Sequence, residues 1–477
     1  MRTIIAVAVA TLLSACATPG PEPALADFQL PAGESAPEVS SNWWQLFGDA
    51  QLDALVDEAL SHNRDLLRAM SRIDEARAEL KLARADYWPD LNASLGGARE
   101  HPSPNGVTPL PAGGPRTISD FQGSVNVSYE VDLWGRVASS NASARDELLA
   151  TAYARETLRN ALVAQVVQSY AALQSIDARR QAFGDAVAAQ SESLRLQRVR
   201  LQAGDIGELD VRQLEADLQA NELQLPKLDR ARGETERSLA AMLGRTPKDI
   251  LDRSVQRSPG AVSVTAAVPS GIPSDLLSRR PDVQAAEARL RAAGARVEVA
   301  RAAYFPQVVL TASYGRESLQ LHDLTNGSSL LWNVVASLTQ PIWDGQRISA
   351  QHDIARAQRA QIELDYRDGV ARAFREVADA IQAVDEAQRS VSTTEERTNA
   401  LVRAAELTKL RYEGGELSRI EVIRADREVL EARADVAEER RALAVAQSNL
   451  FQSLGGGWKA DAVHLSGLLA RTPSGAL

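Results

Sequence analysis

The sequence predicts a mainly α protein built from a duplicated module, with one transmembrane-type β-hairpin in each copy. Three observations carry that prediction: an internal repeat of domain size, two very long proline-free runs with helical spacing, and four short segments of strict alternation.

The repeat shows first in two glycine-centred stretches, "RLQAGDIGELDV" and "RYEGGELSRIEV", where Arg200/Arg411, Gly204/Gly415 and Val211/Val422 keep step with no gap. "ARADYWPDL" returns as "ARAAYFPQV", matching Ala83, Arg84, Ala85, Tyr87 and Pro89 to Ala300, Arg301, Ala302, Tyr304 and Pro306. "HNRDL" aligns with "RRPDV", and "DLWGRV" answers "PIWDGQRI" with a short insertion. The period is too long for a solenoid unit, so a whole module is duplicated. The predicted plan is a leader over 1–15, a tether over 16–41 and a first repeat over 42–244. A connector over 245–273, a second repeat over 274–455 and a tail over 456–477 follow.

Within the repeats, residues 136–203 and 346–413 contain no proline, and Val163, Val166, Tyr170 and Leu173 follow 3-4 spacing. So do Val370, Phe374, Val377, Ile381 and Val384. A run of that length makes a rod of about 100 Å, and its apolar seam asks for neighbouring helices. Residues 62–88 and 208–244 read as shorter helices stacked end to end against a long one, with Pro226 bending the second. Gly204 and Gly415 then occupy the positive-φ position that ends a long helix. Ser418 and Glu421 form S-x-x-E, the pattern of a capping box for the returning helix, and Gly207 and Asp210 take those places in the first copy.

Between helices the period falls to 2. Phe121, Gly123, Val125, Val127, Tyr129, Val131 and Leu133 alternate with polar residues, as do Trp332, Val334, Ala336, Leu338 and Ile342. Leu91, Ala93 and Leu95, and Val308, Leu310, Ala312 and Tyr314, give two more segments, so hairpins are expected over about 90–134 and 307–342. Such strands suit a membrane barrel with one face to lipid, although a half-buried sheet shows the same alternation. In lipid every strand edge must be paired, so four strands must be pooled with copies of the chain: a dimer gives eight and a trimer twelve.

Residues 4–13 are an apolar stretch too short to span a bilayer, and "LLSAC" follows. Leu13, Ser14, Ala15 and Cys16 resemble a bacterial lipobox, which implies a lipid on Cys16 and cleavage before it. Ala17, rather than aspartate, implies sorting to the outer membrane. Cys16 is the only cysteine, so no internal disulfide forms. The following Pro/Ala/Gly/Glu-rich stretch reads as a flexible tether.

A net charge of −10, from 53 Lys+Arg against 63 Asp+Glu, argues against nucleic acid as a partner. The chain has no P-loop, GxGxxG, GxSxG or HExxH, and its five histidines are scattered without metal-ligand spacing. No catalytic residue, metal or cofactor is expected beyond the covalent lipid.

With these residues in view, the chain resembles the outer-membrane factor family, the TolC/OprM-like exit ducts of Gram-negative efflux pumps, and most of all its NodT-type lipoprotein branch. "NWWQLFGDAQLDALVDEAL", "LLSRRPDVQAAEARLRAAGARVEVARAAYFPQV" and both tips carry the resemblance, which covers nearly all of the mature chain. It implies a homotrimer with a twelve-stranded β-barrel in the outer membrane, continued by a twelve-helix α-barrel in the periplasm and girdled by an α/β belt. The belt would come from residues 28–60, 245–273 and those after 455. The resemblance also implies a passive duct fed by an inner-membrane resistance-nodulation-division (RND) transporter, with a periplasmic adaptor (membrane fusion) protein gripping the tips. Adaptor contacts would then be Gly204, Asp205, Gly207, Leu209, Asp210 and Val211, with Gly415, Glu416, Ser418, Ile420, Glu421 and Val422. A periplasmic gate would be formed by Ile420, Arg424, Asp426 and Arg427. Many family members carry aspartate where Arg424 stands. Three copies of Arg424 and Arg427 would repel unless anions or Asp426 compensate, which implies a looser or anion-preferring gate.

Three rivals share some of these features. A lipid-anchored coiled-coil spacer would explain the helices and Cys16 but not the alternating strands. The duct of a type I protein secretion system and that of a metal-ion efflux system share the whole architecture.

Overall fold

A computed structural model describes residues 40–103, 117–252, 255–264 and 279–458. In chain order it contains a short 3-10 helix (Trp43–Phe47), α1 (Ala50–His62), α2 (Arg64–Ala85), β1 (Asp90–Glu100) and β2 (Ile118–Glu130). Then come α3 (Arg136–Gln202), α4 (Glu208–Glu222), α5 (Gln224–Met242), α6 (Pro247–Asp252) and α7 (Pro281–Ala302). The chain continues with β3 (Gln307–Ser318), β4 (Leu330–Thr339), α8 (Arg347–Glu413) and α9 (Arg419–Ser453). Two compact units share these elements: one holds residues 74–103, 117–150 and 286–367, the other 40–73, 151–252, 255–264, 279–285 and 368–458. Among the described residues no helix is long and apolar enough to cross a membrane.

The first unit is organised by an antiparallel sheet in the order β1-β2-β3-β4. The two hairpins join through β2 and β3, where Val125 faces Tyr314 and Val127 faces Ala312. Strands end at Glu130 and Thr339, so Val131, Leu133 and Ile342 lie outside them, a correction to the alternating runs. The alternation stops because each chain turns into its long helix at a left-handed glycine, Gly135 (φ 76) or Gly345 (φ 67). An aspartate caps each start: Ala138 N–H donates to Asp132 at 2.8 Å and Ile348 N–H to Asp344 at 2.8 Å. Beside the sheet, Trp134 stacks on Phe305 at 4.8 Å and its indole N–H donates to the Pro306 carbonyl at 2.7 Å.

In the second unit the core gathers Trp43, Leu52, Val56, Val163, Val166, Tyr170, Leu173, Leu239 and Leu243, all almost fully buried. Burying such side chains contributes about 1.5–3 kcal/mol each. Trp43 stacks on Phe451 at 5.2 Å. The extended segment 261–264 is held by side chains instead of a sheet: Gln174 accepts from Val262 N–H at 3.0 Å, and Gln447 accepts from and donates to the Val264 backbone at 2.9 and 2.6 Å.

Two of the shorter helices differ from the sequence reading. The helix expected over 62–88 starts at Arg64 and ends at Ala85, because Asn63 has extended backbone and its side-chain oxygen accepts from Asp65 and Leu66 N–H at 2.9 and 3.1 Å. The chain after the first tip breaks at Leu223, between α4 and α5, where Pro226 cannot donate to the preceding turn.

Candidate functional site: hairpin tips and a two-faced sheet

The second unit carries both hairpin tips, and their backbones match atom for atom. In the first, Gly204 has φ 82, its N–H donates to Leu201 O at 3.0 Å, and Asp205 N–H donates to Arg200 O at 2.9 Å. In the second, Gly415 has φ 77, its N–H donates to Tyr412 O at 2.9 Å, and Glu416 N–H donates to Arg411 O at 2.9 Å. Each is a Schellman-type ending that satisfies the last carbonyls of a long helix. The returning helices then start alike, with Gly207 at φ −81, ψ 156 and Ser418 at φ −80, ψ 158.

The capping box does not form. Ser418 stands at the N-cap position but its hydroxyl accepts no backbone N–H, and Gly207 has no side chain to offer. Glu421 instead holds Arg424 at 3.2 Å, because the exposed guanidinium one turn away competes for the carboxylate. Asp210 likewise caps nothing and is exposed.

Of the expected adaptor contacts, Val211 and Val422 are 4% and 2% exposed. They are packing residues: Val211 shares a small core with Leu194, Leu214 and Ile423. Their place in the repeated motif reflects the inward register of each returning helix. Leu209 is 69% exposed and is the apolar side chain left free at the first tip. Gly204, Asp205, Gly207, Gly415, Glu416 and Ser418 are also exposed. Glu416 pairs with Arg411 at 3.0 Å.

Ile420 lines a cavity of about 280 Å³ with Ile206, Asp210, Leu214, Tyr412 and Arg419. Arg419 lies outside the sequence-derived set, although it organises this region. It donates to Ser193 Oγ at 3.0 Å and lies over the Tyr412 ring at 5.5 Å. Nothing in a one-dimensional pattern separates it from its solvated neighbours.

The arginines expected at a periplasmic gate are exposed and paired, Arg424 with Glu421 at 3.2 Å and Arg427 with Glu431 at 3.0 Å. Asp426 is not their compensating partner. It belongs to a cavity of about 360 Å³ with Arg419, Arg433 and Ser193, since its helical position turns it away from the other two. Crowding by the neighbouring helices raises its carboxyl above the usual range, which the charges of Arg419 and Lys409 partly offset.

The sheet of the first unit has two chemically distinct faces. Register places Leu91, Val125, Val127, Ala312, Tyr314, Trp332 and Val334 on one face. Tyr314 is 64% and Trp332 69% exposed in the single chain. The opposite face carries Asn92, Ser94, Gln122, Ser124, Asn126, Ser128, Thr311, Ser313 and Asn333. There Ser94 and Ser124 lie 3.0 Å apart and Asn126 donates to both, at 3.3 and 3.2 Å. Tyr87, Trp88, Tyr304 and Trp343 are exposed next to the helical end of the strands. An apolar band with flanking aromatics and a polar reverse face is the pattern of a barrel wall in a bilayer. Cys16 lies outside the described residues. No group of three or more metal-ligating side chains gathers among the described residues.

The family model for "outer membrane efflux protein" matches residues 55–245 and 272–456. The toluene efflux pump outer membrane protein TtgI of Pseudomonas putida is 31% identical, with 87% of this chain and 87% of that protein covered. The cation efflux system protein CusC of Escherichia coli is 30% identical, covering 88% of this chain and 89% of the relative. The crystal structure of the Campylobacter jejuni CmeC outer membrane channel superposes with a TM-score of 0.87 at 25% identity, covering 92% of this chain and 93% of that one. The fold is therefore that of an outer-membrane channel with a β-barrel and a helical barrel, in a family of efflux ducts and not of enzymes. By sequence and by structure, the chain belongs to the outer membrane efflux protein family, and its place is the outer membrane.

Proposed function

We propose that three copies of this chain pool their strands into a twelve-stranded barrel and serve as the exit duct of a tripartite pump for small toxic solutes. An inner-membrane RND transporter supplies the energy, and a periplasmic adaptor holds the tips through Leu209 and the exposed backbone around Gly204 and Gly415. The observation that carries this reading is the four-stranded sheet with an apolar face and two outer strands, β1 and β4, that pair with no further strand among the described residues. Lipid tolerates no open sheet edge, so strands from other copies must complete the wall. Cys16 carries a lipid that anchors the tether; no other cofactor is required.

Relatives of almost equal similarity are named for toluene and for cations. The wall of such a duct therefore carries little signature of its cargo, and the transporter chooses it. The CusC relationship favours metal-cation export as the second reading.

Native mass spectrometry of protein extracted in mild detergent tests the assembly. Three chains with three lipid modifications are expected; a monomer or dimer would overturn the twelve-stranded closure. Deletion of the gene, followed by growth on organic toxicants and on a panel of metal salts, then separates the two cargo readings.

A further inference from the structure

Two arginines interrupt the apolar face of the sheet, and the internal repeat puts them at equivalent positions. The offset that carries Ala83 to Ala300 carries Arg99 to Arg316, and with them "ARE" to "GRE". Register places Arg99 opposite Ser119 and Arg316 opposite Gly123, on the face that holds Leu95, Val125 and Trp332. Glu100 and Glu317 point to the other face, since side chains alternate along a strand. No carboxylate occupies the apolar face of any of the four strands.

Both guanidinium groups keep donors to spare. Arg99 is exposed and makes no hydrogen bond or ion pair with the described residues. Arg316 is exposed too, and its Nη1 donates to the Leu324 and Asn326 carbonyls at 3.5 and 3.3 Å and to that of Thr325. Its Nε and Nη2 have no partner among the described residues. Ser318, on the same face, accepts the Gln320 N–H at 3.2 Å and so retains its hydroxyl proton for another acceptor. The height of the two groups is set by the strand. From Val308 to Arg316 the chain climbs about 26 Å at ~3.3 Å per residue, or about 20 Å along the normal of a wall tilted near 40°. The apolar band of such a wall is roughly 25 Å tall, and charge on its lipid face is tolerated only near the edges. An arginine stem extending upward covers the remaining distance and puts its head at the headgroup level.

We propose that Arg99 and Arg316 bind the phosphate groups of a phosphorylated lipid in the outer leaflet, with Ser318 as a further donor. This rests on the barrel reading of the sheet, in which the apolar face meets lipid. The helical end of the strands leads into the periplasm, so the loop end reaches the outer leaflet. A planar guanidinium matches phosphate oxygens two at a time, and no carboxylate on this face competes for it. The occupant is a membrane lipid and not free phosphate, because Leu95, Tyr314 and Trp332 continue the same face below the arginines and cover acyl chains. Phosphate above and hydrocarbon below then fix the height of the barrel, since sinking toward the midplane would strip each arginine of its phosphate and its water.

The test is native mass spectrometry of the full-length lipidated protein in mild detergent, titrated with diphosphorylated lipid A, with phosphatidylcholine and with inorganic phosphate. Lipid A is expected to bind at least about tenfold more tightly than phosphatidylcholine, and inorganic phosphate is expected to leave no retained adduct. Arg99→Gln should weaken lipid A binding by about threefold or more, and Arg99→Gln/Arg316→Gln by more than about tenfold, with phosphatidylcholine unaffected. If the double variant fails to assemble because Arg316 also holds its loop, Arg99→Gln decides alone, since that side chain has no partner among the described residues to lose. Equal retention of the two lipids overturns the proposal, as does lipid A binding unchanged by the substitutions. Inorganic phosphate bound as tightly as lipid A would make the arginines a free-anion site and overturns the lipid as occupant. Brominated acyl chains should separately quench Trp332, read as the difference between wild type and Trp332→Phe. Absence of that quenching overturns the lipid-facing reading of the sheet itself, whatever the titration gives.

Discussion

The Tyr170 hydroxyl donates to Asp49 at 2.7 Å while accepting the Ser258 backbone N–H at 2.9 Å. Asp49 also caps α1, accepting from Gln51 and Leu52 N–H at 2.9 and 3.3 Å, and takes the Ser258 hydroxyl at 3.0 Å. One buried phenol thus ties the start of α1, the middle of α3 and the loop before residue 261 into a single node. Tyr170→Phe leaves the packing but removes one donor and orphans the Ser258 N–H. A loss of about 1–3 kcal/mol is expected in denaturant unfolding of the solubilised protein. An unchanged midpoint would show that the node is dispensable.

The same phenol gives a pH signature. Burial, with the hydrogen bond to Asp49 second, pushes Tyr170 up from 10.0 to about 12. Below pH 10 both folded and unfolded chains hold the proton, so this group adds no slope. Between the two values the unfolded chain releases it first, and stability falls as pH rises, by about 1.4 kcal/mol per pH unit. Wild type minus Tyr170→Phe, compared from pH 8 to pH 12, should isolate that slope. A flat difference would contradict the buried hydrogen bond.

Glycines of similar φ should respond very differently to alanine. Gly204 (φ 82) and Gly415 (φ 77) have nothing within 4 Å of an added Cβ, so only the left-handed backbone resists, at about 1–2 kcal/mol each. At Gly244 (φ 77) the same Cβ would meet the His62 carbonyl oxygen at 2.1 Å. Overpacking there adds to the strain, for about 2–5 kcal/mol in all. Chemical denaturation of the three single variants ranks them; equal losses would mean that the close approach at Gly244 relaxes freely.

Arg424 tests whether α9, the helix expected to form a gate, carries a net positive face. Its pairing with Glu421 predicts that the anion preference implied by an arginine at this position is largely cancelled. Glu421→Gln should then raise Cl⁻ permeability in bilayer recordings by freeing the guanidinium, whereas Arg424→Gln should leave overall stability within about 0.5 kcal/mol because the pair is exposed. Unaltered selectivity in Glu421→Gln would mean that the helix face does not border the permeation path.

The sequence reveals what is periodic or repeated. Alternation at Val125, Val127, Leu310, Ala312 and Trp332 marks a two-faced sheet, and Gly204 and Gly415 mark two turns, because strand faces and left-handed turns are local constraints on residue type. It hides what depends on distant partners. Tyr170 and Asp49 lie far apart in the chain and carry no shared pattern, and Arg419 looks like any helical arginine until Tyr412 and Ser193 surround it. It also misleads where a motif has a competitor: Ser418 and Glu421 have capping-box spacing, but Arg424 takes the carboxylate. Val211 and Val422 align as tip residues because the helical register is duplicated, and that register turns them inward.

Cys16 separates anchoring from folding. The sheet's apolar face and its interstrand register arise entirely from residues after 89, so the lipid expected on Cys16 contributes nothing to strand pairing. The barrel is therefore expected to insert through its own wall, with the lipid serving delivery to the membrane. Cys16→Ser should abolish incorporation of labelled palmitate while the heat-resistant oligomer still forms on gels from isolated outer membranes. The amount reaching that membrane should fall, and toxicant resistance should fall in proportion to it. Loss of the oligomer at equal membrane content would show instead that the lipid takes part in assembly, and would move Cys16 from anchor to structural element of the trimer.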